Sequence, residues 1–599
     1  MSLLAKKYLS LKPTYDYLSD KIVLAQAWKK SHQYIRSTNW YADTFELDRS
    51  AIDLDSLLNK WILDLNKADF SFEPLRIVPA PKAERWHFKK ISSPTSFDEL
   101  ILKINSIEKY SHVWEPEKED SKPLRPLAHV SIRDQTLTMA LMMCLANRVE
   151  SSQGSTATPL NEVHQKKISS YGNRLYCHFS GKEAFFSWGN STTYSKYFSD
   201  YQKFLERPIY FGGEALQQKI KNEQVYEIHL DIAKFYDCID RKKLTQMIRA
   251  QCDENSDPIL ERLLTSFEEW KWDATSSEIY DEVCKHSVEI IPNGIPQGLV
   301  SGGFLANIYL LDFDKKIQNL AGKSISDDVR LVDYCRYVDD MRLIIVCEGG
   351  VSAQRIKELI YEKIGIELQE LGLKFNDDKT RVDKFRYKRA GISTKLKDIQ
   401  KKVSGPLSPT EVDEQLGHLE GLIGLAENLQ PPDSEQNNSN PLATIEMPSN
   451  DVRDDTLLRF SANKIHILLK QKRSLFAQEI DEEGNPKPGS WDYLQERMAR
   501  KFISCWSKDP SLVLLLKKGL ELFPDKRILK PVLEQLRDVL QRNEKPKQRK
   551  IAQYCLGEIF RHTATSIHTK ELWEFPAHAD TAGFFELLQS FAVEIISNE

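Results

Sequence analysis

The chain has 599 residues, 41% of them hydrophobic, and a formal net charge of −4 at pH 7. This length and apolar content predict more than one folded core and exclude a disordered or fibrous chain. The charge excludes a uniformly basic protein, so a nucleic-acid site would require local clustering of Lys and Arg.

Cysteine usage and hydropathy exclude two further classes. The nine cysteines are an odd number without a CxxC pair, which argues against a disulfide framework and against a zinc ribbon. No run of about 18 apolar residues occurs, and the N-terminus carries only a short, interrupted apolar stretch, so neither membrane insertion nor secretion is predicted. We therefore expect a cytoplasmic protein without a membrane partner.

The first part of the chain is predicted to be helical and then mixed. Apolar residues recur at three- and four-residue spacing in 21–36 and 53–67, which indicates amphipathic helices. Strand and helix signals mix between 76 and 225, where 132–150 is a buried helix with Asp134 as its expected cap. The basic stretches 76–90 and 541–550 are each expected to be solvated charged surface.

Acidic residues follow two predicted strands between 226 and 390. Alternation in 225–232 places Asp231 on the face opposite the apolar residues, where the strand passes into a helix. In "CRYVDDMRLIIV", two short strands flank a predicted turn of Val338, Asp339 and Asp340. Two strand ends therefore each present carboxylates.

These carboxylates have a structural and a functional interpretation. Asp231 is a suitable helix cap, and Asp339 and Asp340 are suitable turn residues. The functional interpretation is a pair of Mg²⁺ ions, which prefer hard oxygen ligands and share their remaining positions with water and substrate phosphates. Two such ions lower the pKa of an attacking hydroxyl and stabilise the leaving oxygen of a phosphoryl displacement.

Two further segments carry polar residues beside glycine. The segment 293–314 begins as a loop with Gly294 and Gly298, which permit close approach of the backbone to a ligand, and continues as an apolar helix. Gln297 in this loop offers both a donor and an acceptor. The segment 371–382 closes a helix and begins a strand, with Lys379 near its end.

The last part of the chain is predicted to be helical. Residues 424–451 are rich in Pro, Asn and Ser and indicate a disordered linker around 430–450. Beyond 452 the helical segments are short and closely spaced, which is typical of stacked helical hairpins.

Taken in order, four of these segments resemble palm motifs A to D of reverse transcriptases. The four are Asp231 with Tyr236 five residues on, the PQG of 296–298 before the LANIYL helix, the YVDD of 337–340, and LGL…NxxKT of 371–380. Upstream, 122–135 resembles the first fingers motif. The segment 170–175, SYGNRL, resembles the second fingers motif of the bacterial Abi and unknown-group class, the defence-associated reverse transcriptases.

The resemblance covers roughly residues 75–390 and implies an α+β fold. The expected architecture is the fingers and palm of a right-hand polymerase, followed by an all-α C-terminal region. The expected boundaries are an N-terminal helical extension (1–75), fingers (76–225), palm (226–390), thumb-like helices with the linker (391–460) and a C-terminal α-helical domain (461–599).

The resemblance also implies a set of metal ligands. Asp231, Asp339 and Asp340 would bind two Mg²⁺ ions, with Mn²⁺ as the alternative metal, and the backbone carbonyl of Ile232 would add a ligand. Lys379 would protonate or neutralise the pyrophosphate.

Further residues would handle the nucleotide. Arg125 and Arg174 would grip the incoming triphosphate, since a guanidinium matches phosphate oxygens in paired hydrogen bonds. Tyr236 would act as a steric gate against a ribose 2′-OH, and Gln297 with Gly298 would line the nucleotide pocket. On the template and primer side the implied residues are Pro296 and Tyr337.

One feature departs from the family pattern. Relatives carry Ser-Pro before the LAN helix, whereas this chain has Gly302-Gly303 at those places. We expect a looser start to this helix.

The expected function is an antiphage DNA polymerase that uses dNTPs, templated by an associated noncoding RNA or acting without a template. The alternatives are a mobile-element or retron-type reverse transcriptase and, from another class, a catalytically silent scaffold whose helical repeats bind a protein. The expected partners are RNA, the DNA product, and a protein or second copy bound through the C-terminal helices.

Overall fold

The computed structural model describes residues 6–38, 44–82, 86–90, 112–116, 124–220, 222–252, 257–284, 291–386, 392–404, 409–428, 452–473, 482, 489–540, 546–570 and 574–598. The chain divides into two compact units. The first unit comprises Met1–Ile77, Leu127–Glu278 and Ile290–Arg389, and the second comprises Val78–Pro126, Ile279–Glu289 and Ala390–Glu599.

The strands form one four-stranded sheet and three two-stranded sheets among the described residues. They are β1 (Arg76–Pro81), β2 (Trp86–Lys90), β3 (His112–Pro116), β4 (Leu124–His129), β5 (Cys177–Ser180), β6 (Glu183–Phe186), β7 (Glu223–Asp231), β8 (Val329–Tyr337), β9 (Asp340–Glu348) and β10 (Arg381–Lys384).

The helices cover most of the remaining described residues. They are α1 (Tyr15–Leu18), α2 (Lys21–Thr38), α3 (Thr44–Ile52), α4 (Leu54–Leu65), α5 (Ile132–Gln153), α6 (Tyr197–Gln218), α7 (Phe235–Cys238), α8 (Arg241–Ala250), α9 (Pro258–Glu268), α10 (Ala274–Ile279), α11 (Gly302–Gln318), α12 (Ala353–Ile360), α13 (Ile366–Glu370), α14 (Ile392–Val403), α15 (Pro409–Asn428), α16 (Asp454–Arg473), α17 (Ser490–Lys508), α18 (Val513–Leu522), α19 (Lys526–Leu540), α20 (Pro546–His562) and α21 (Thr581–Asn598).

A four-stranded antiparallel sheet, ordered β10-β7-β9-β8, is the centre of the first unit. Side chains alternate between its faces, so Ile228 and Leu343 join the main core, whereas Ile344 and Val346 join a second cluster with Phe204 of α6. Because both faces are covered by helices, the strands carry long apolar runs, and their ends are where polar side chains reach the surface.

The helices of the N-terminal 75 residues belong to the first unit and contribute to its main core through residues such as Leu24 and Leu58. Helix α5 is buried along nearly its whole length, as predicted. Its cap is different from the predicted one. Ser131 is the N-cap and accepts a hydrogen bond from the backbone N–H of Asp134, whose carboxylate accepts instead from the backbone of Glu73.

In the second unit, successive helices pack against each other, α15 with α16, α17 with α18 and α19 with α20. Their apolar faces form the interior, and the pair β2–β3 adds Trp114, whose ring packs against Trp506 of α17. The described part of the C-terminal region is thus helical, as predicted. The linker predicted around 430–450 lies outside the described residues. Within the described part of the chain, no helix is long and apolar enough to cross a membrane.

Candidate active site

Three aspartates meet at one end of the central sheet. Strand β7 ends at Asp231, and strand β9 begins directly opposite at Asp340. Antiparallel partners have Cα atoms about 4.5–5.5 Å apart, so the two carboxylates are neighbours. The backbone N–H of Ile232 donates to the carbonyl of Asp339 at 3.1 Å, which brings the third aspartate to the same place. The turn is shorter than predicted, because Asp340 is already part of β9.

The electrostatics of the cluster favour a cation. Burial, together with the negative charges of Asp340 and Asp231, raises the pKa of Asp339 to about 6. Asp231 is buried and accepts hydrogen bonds from Lys379 Nζ at 2.8 Å and from Asn376 Nδ2 at 3.2 Å. The structure therefore brings together all four residues predicted to be catalytic, and one of them is a cation already paired with a carboxylate.

The donor set suits a hard divalent metal. Its oxygen atoms come from aspartates, and the repulsion recorded in the pKa of Asp339 is relieved by a positive ion. No group of three or more His, Cys, Asp or Glu side chains among the described residues is arranged as a ready-made metal cage. Mg²⁺ is usually held by one or two carboxylates plus substrate phosphates, so an open carboxylate pair fits this ion.

The turn that carries Asp339 has a strained backbone held by its surroundings. Val338 has a φ of 58°, a left-handed conformation that is rare for a β-branched residue. The guanidinium of Arg336 donates from Nη1 to the carbonyl of Val338 at 2.8 Å. A Cβ on Gly172 would lie 2.4 Å from the Val338 nitrogen, so only glycine permits this close packing. Strain of this kind persists where the surrounding structure fixes it, and it is frequent at active sites.

Arg336 belongs to a buried polar network that the sequence analysis did not identify. Its side chain is fully buried and pairs with Asp314 of α11 at 2.6 Å, and Asp314 also accepts from the hydroxyl of Tyr334 at 2.8 Å. A second donor of Arg336 reaches Asn307 Oδ1 at 3.3 Å. The available signal was a charged residue inside an otherwise apolar strand, which requires a partner when buried.

Tyr236, on the short helix α7, lies beside the cluster of Asp231, Asp339 and Asp340. Its hydroxyl accepts a hydrogen bond from Asn173 Nδ2 at 3.0 Å. Burial and the neighbouring charge of Asp339 raise the pKa of Tyr236, so the phenol stays protonated at neutral pH. The ring is therefore a neutral, fixed wall beside the carboxylates.

The PQG loop packs directly against α7. The backbone N–H of Ile295 donates to the Tyr236 carbonyl at 2.9 Å, and Gln297 Nε2 donates to Asp237 Oδ1 at 2.8 Å. The loop that contains Pro296 is thus held beside Tyr236.

The two glycines of this loop pack closely against the protein's own backbone. A Cβ on Gly294 would lie 1.9 Å from the carbonyl oxygen of Tyr236, and one on Gly298 would lie 1.8 Å from that of Ala128. The loop's packing against the protein's own backbone therefore requires glycine at both positions, and the approach of these glycines to a ligand stays a prediction.

Arg174, which was predicted to grip the triphosphate, makes its contacts within the protein in this structure. Its side chain is only 2% exposed and forms an ion pair with Glu150 at 2.7 Å, and it also donates to the carbonyls of Ser170 and Gly154. These bonds use most of its donors in the interior. The second predicted phosphate ligand, Arg125, is an exposed residue of β4 that belongs to the second unit.

The ring of Tyr337 is buried among aromatic residues of α6. It makes edge contacts with Tyr197 and Tyr201, at centroid distances of 5.6 and 5.0 Å. Tyr337 also lines a cavity of about 350 Å³ together with Asn173 and, from α2, Tyr34. A contact of Tyr337 with the primer stays a prediction.

One part of the chain is similar to a known protein family. Residues 157–413, less than half of the chain, match the family model described as reverse transcriptase (RNA-dependent DNA polymerase). This segment contains all three aspartates, Tyr236 and Lys379. No curated protein matches the chain.

Solved structures of telomerase from Candida tropicalis also match. The apo enzyme is 12% identical over 78% of this chain and 71% of that chain, with a TM-score of 0.27. The complex with a fragment of telomeric RNA is also 12% identical, over 90% of this chain and 68% of that chain, with a TM-score of 0.25.

Proposed function

We propose, from the reverse transcriptase domain of residues 157–413, that the protein extends a primer with dNTPs at the aspartate cluster and acts in antiphage defence. The observation that carries the catalytic part is the register that sets Asp231 opposite Asp340, with Asp339 beside them. The support for the defensive part is the similarity of the segment 170–175 to the defence-associated class and the all-α region that follows the palm.

In this proposal the aspartates hold two Mg²⁺ ions, with Mn²⁺ as the alternative. Asp231 and Asp339 would hold the ions, with Asp340 and the carbonyl of Ile232 as further ligands. When bound, the metal lowers the pKa of the primer 3′-hydroxyl and stabilises negative charge on the leaving oxygen.

Side chains of the protein then act on the primer, the nucleotide and the leaving pyrophosphate. The primer 3′-oxygen forms a bond to the α-phosphorus, the bond from that phosphorus to the β-phosphate bridging oxygen breaks, and the 3′-hydroxyl proton passes to solvent. The ammonium group of Lys379 pairs with Asp231, and the side chain is half-exposed and flexible. In this proposal it neutralises the pyrophosphate that leaves. Tyr236 presents its ring where a ribose 2′-OH would collide.

The remaining assignments concern the template and the partners. We assign Gln297 and Gly298 to the nucleotide pocket and Pro296 and Tyr337 to the template and primer. RNA is the proposed template, an associated noncoding RNA being the form expected for this class, and the cytoplasm is the proposed location.

The experiment that tests the proposal is synthesis by the purified protein. The protein isolated with its bound nucleic acid is incubated with labelled dNTPs and Mg²⁺, and the product is sequenced. A DNA product complementary to a co-purified RNA supports templated synthesis, and a simple repeat that survives removal of RNA supports synthesis without a template.

A matched variant separates this proposal from the scaffold alternative. The double variant Asp339→Ala, Asp340→Ala is tested for synthesis and for protection of cells against phage. Loss of both supports the enzyme, whereas protection that persists without synthesis would refute the catalytic role in defence.

A further inference from the structure

Asn173 lies between Tyr236 and the start of helix α11. Its backbone φ is 53°, in the left-handed region that Asn tolerates better than most residues. Its side-chain amide donates to the hydroxyl of Tyr236 at 3.0 Å, across 63 residues of sequence. Nothing in the resemblance to reverse transcriptases assigns a role to this side chain.

Gly303 provides the space that Asn173 occupies. A Cβ at position 303 would lie 2.6 Å from Cγ and 2.8 Å from Nδ2 of Asn173, distances that real Cβ atoms do not reach. The amide therefore rests on the bare backbone of α11. This contact gives a physical reason for glycine at one of the two positions where the chain departs from the Ser-Pro of its relatives.

Asn307, one turn further along α11, fixes the backbone under Asn173. It is buried, and its Nδ2 donates to the carbonyls of Gly172 and Asn173 at 2.9 and 3.2 Å. Its Oδ1 accepts from Arg336, which also holds the carbonyl of Val338 in the catalytic turn. One continuous set of hydrogen bonds thus links the turn of Asp339 to the hydroxyl of Tyr236.

We propose that Asn173, seated on Gly303, is a positioning residue that fixes the ring of Tyr236 and thereby sets the discrimination between dNTPs and rNTPs. The inference rests on the proposed function, because it concerns the nucleotide pocket of that same site. A phenol held at its hydroxyl cannot swing away from the sugar. Without that bond, the ring gains freedom and admits a 2′-OH.

The decisive variant is Gly303→Ala, which displaces the Asn173 amide without altering any residue of the aspartate cluster. Gly302→Ala is the matched control at the same helix start, because its added methyl meets Ile295 Cγ2 at 3.1 Å and does not touch Asn173. Both are assayed by single-nucleotide primer extension with a dNTP and the matching rNTP.

We expect the dNTP-to-rNTP ratio of kcat/KM to fall roughly fivefold to tenfold in Gly303→Ala, which corresponds to the loss of one hydrogen bond. Most of the change should be a lower KM for the rNTP, with the kcat for the dNTP nearly unchanged. The ratio in Gly302→Ala should equal that of the wild type. An unchanged ratio in Gly303→Ala, or an equal fall in both variants, would overturn the inference.

A second measurement tests the inference without catalysis. Thermal melts of Tyr236→Phe, Asn173→Gly and the double variant form a cycle, and glycine is chosen because it adopts the left-handed backbone of Asn173. If the two side chains share a bond, the double variant melts higher than the sum of the single losses predicts. Strictly additive losses would overturn the inference. If the wild-type protein synthesises no DNA, the proposed function is refuted. The contact between Asn173 and Tyr236 is then tested by the thermal melts alone.

Discussion

Variants of the buried pair Arg336 and Asp314 allow an effect on stability to be distinguished from an effect on activity. Arg336 is 0% exposed and Asp314 4%, and the two are joined by three hydrogen bonds, the shortest of 2.6 Å. The variant Arg336→Met leaves Asp314 buried as a charge without its cation. Removal of one partner of a buried ion pair costs about 3–5 kcal/mol, so we expect a loss of that size in the free energy of local unfolding.

The double variant Arg336→Met, Asp314→Asn should recover most of that stability, since no uncompensated charge remains and Asn still accepts from Tyr334. Activity should not recover with it. The carbonyl of Val338 lacks its donor in both variants, so the turn that carries the aspartates relaxes. A misplacement of about 1 Å costs about 100-fold in rate, and we expect a fall of that order in kcat.

Two assays and one control decide the matter. Hydrogen exchange of the β8 and α11 amides measures the free energy of local unfolding, and primer extension measures kcat. The pair Arg207–Asp333 is equally buried, with its charged atoms 2.7 Å apart. It serves as the control because its hydrogen bonds do not reach the turn of Val338 and Asp339. Its double variant Arg207→Met, Asp333→Asn should keep wild-type kcat. A double variant of Arg336 and Asp314 with wild-type kcat would refute the reasoning.

Three predictions concern the aspartate cluster. In metal-free protein, Asp339 keeps its proton to about pH 6 when folded but loses it near pH 3.8 when unfolded, so stability falls as pH rises through that window. Asp339→Asn should therefore raise the free energy of unfolding by up to about 3 kcal/mol at pH 7.5 in EDTA and by less at pH 5; an equal gain at both values would contradict the stated cause. Asp231→Asn should reduce primer extension to the level of a reaction without enzyme and weaken Mn²⁺ binding in a titration, and retained binding would argue against its role as a ligand. Lys379→Met should lower kcat about 100-fold, which is the smallest effect expected when a proton donor is lost. Lys379→Arg should restore part of that rate because it supplies a positive charge. Equal rates in the two variants would exclude a role for the charge.

Local sequence determined the chemistry of the site. Strand alternation and turn composition act over a few residues, so they placed Asp231, Asp339 and Asp340 at strand ends before any fold was known. The palm strands, the helix after the PQG loop and the helical C-terminal region were predicted for the same reason. Their signals lie in periodicities of two and about 3.6 residues.

Only the tertiary structure decided which polar side chains support the site. The resemblance implied that Arg174 binds phosphate, since a guanidinium matches phosphate oxygens, but its partner Glu150 lies 24 residues away in sequence and holds the side chain in the interior. Local sequence gave no indication of a role for Asn173, since Tyr236 and Gly303, which its side chain contacts, are distant in sequence. The raised pKa of Asp339 likewise depends on burial and on charges from another strand. Hydrogen bonds, burial and repulsion depend on distance in space, which a local sequence pattern does not contain.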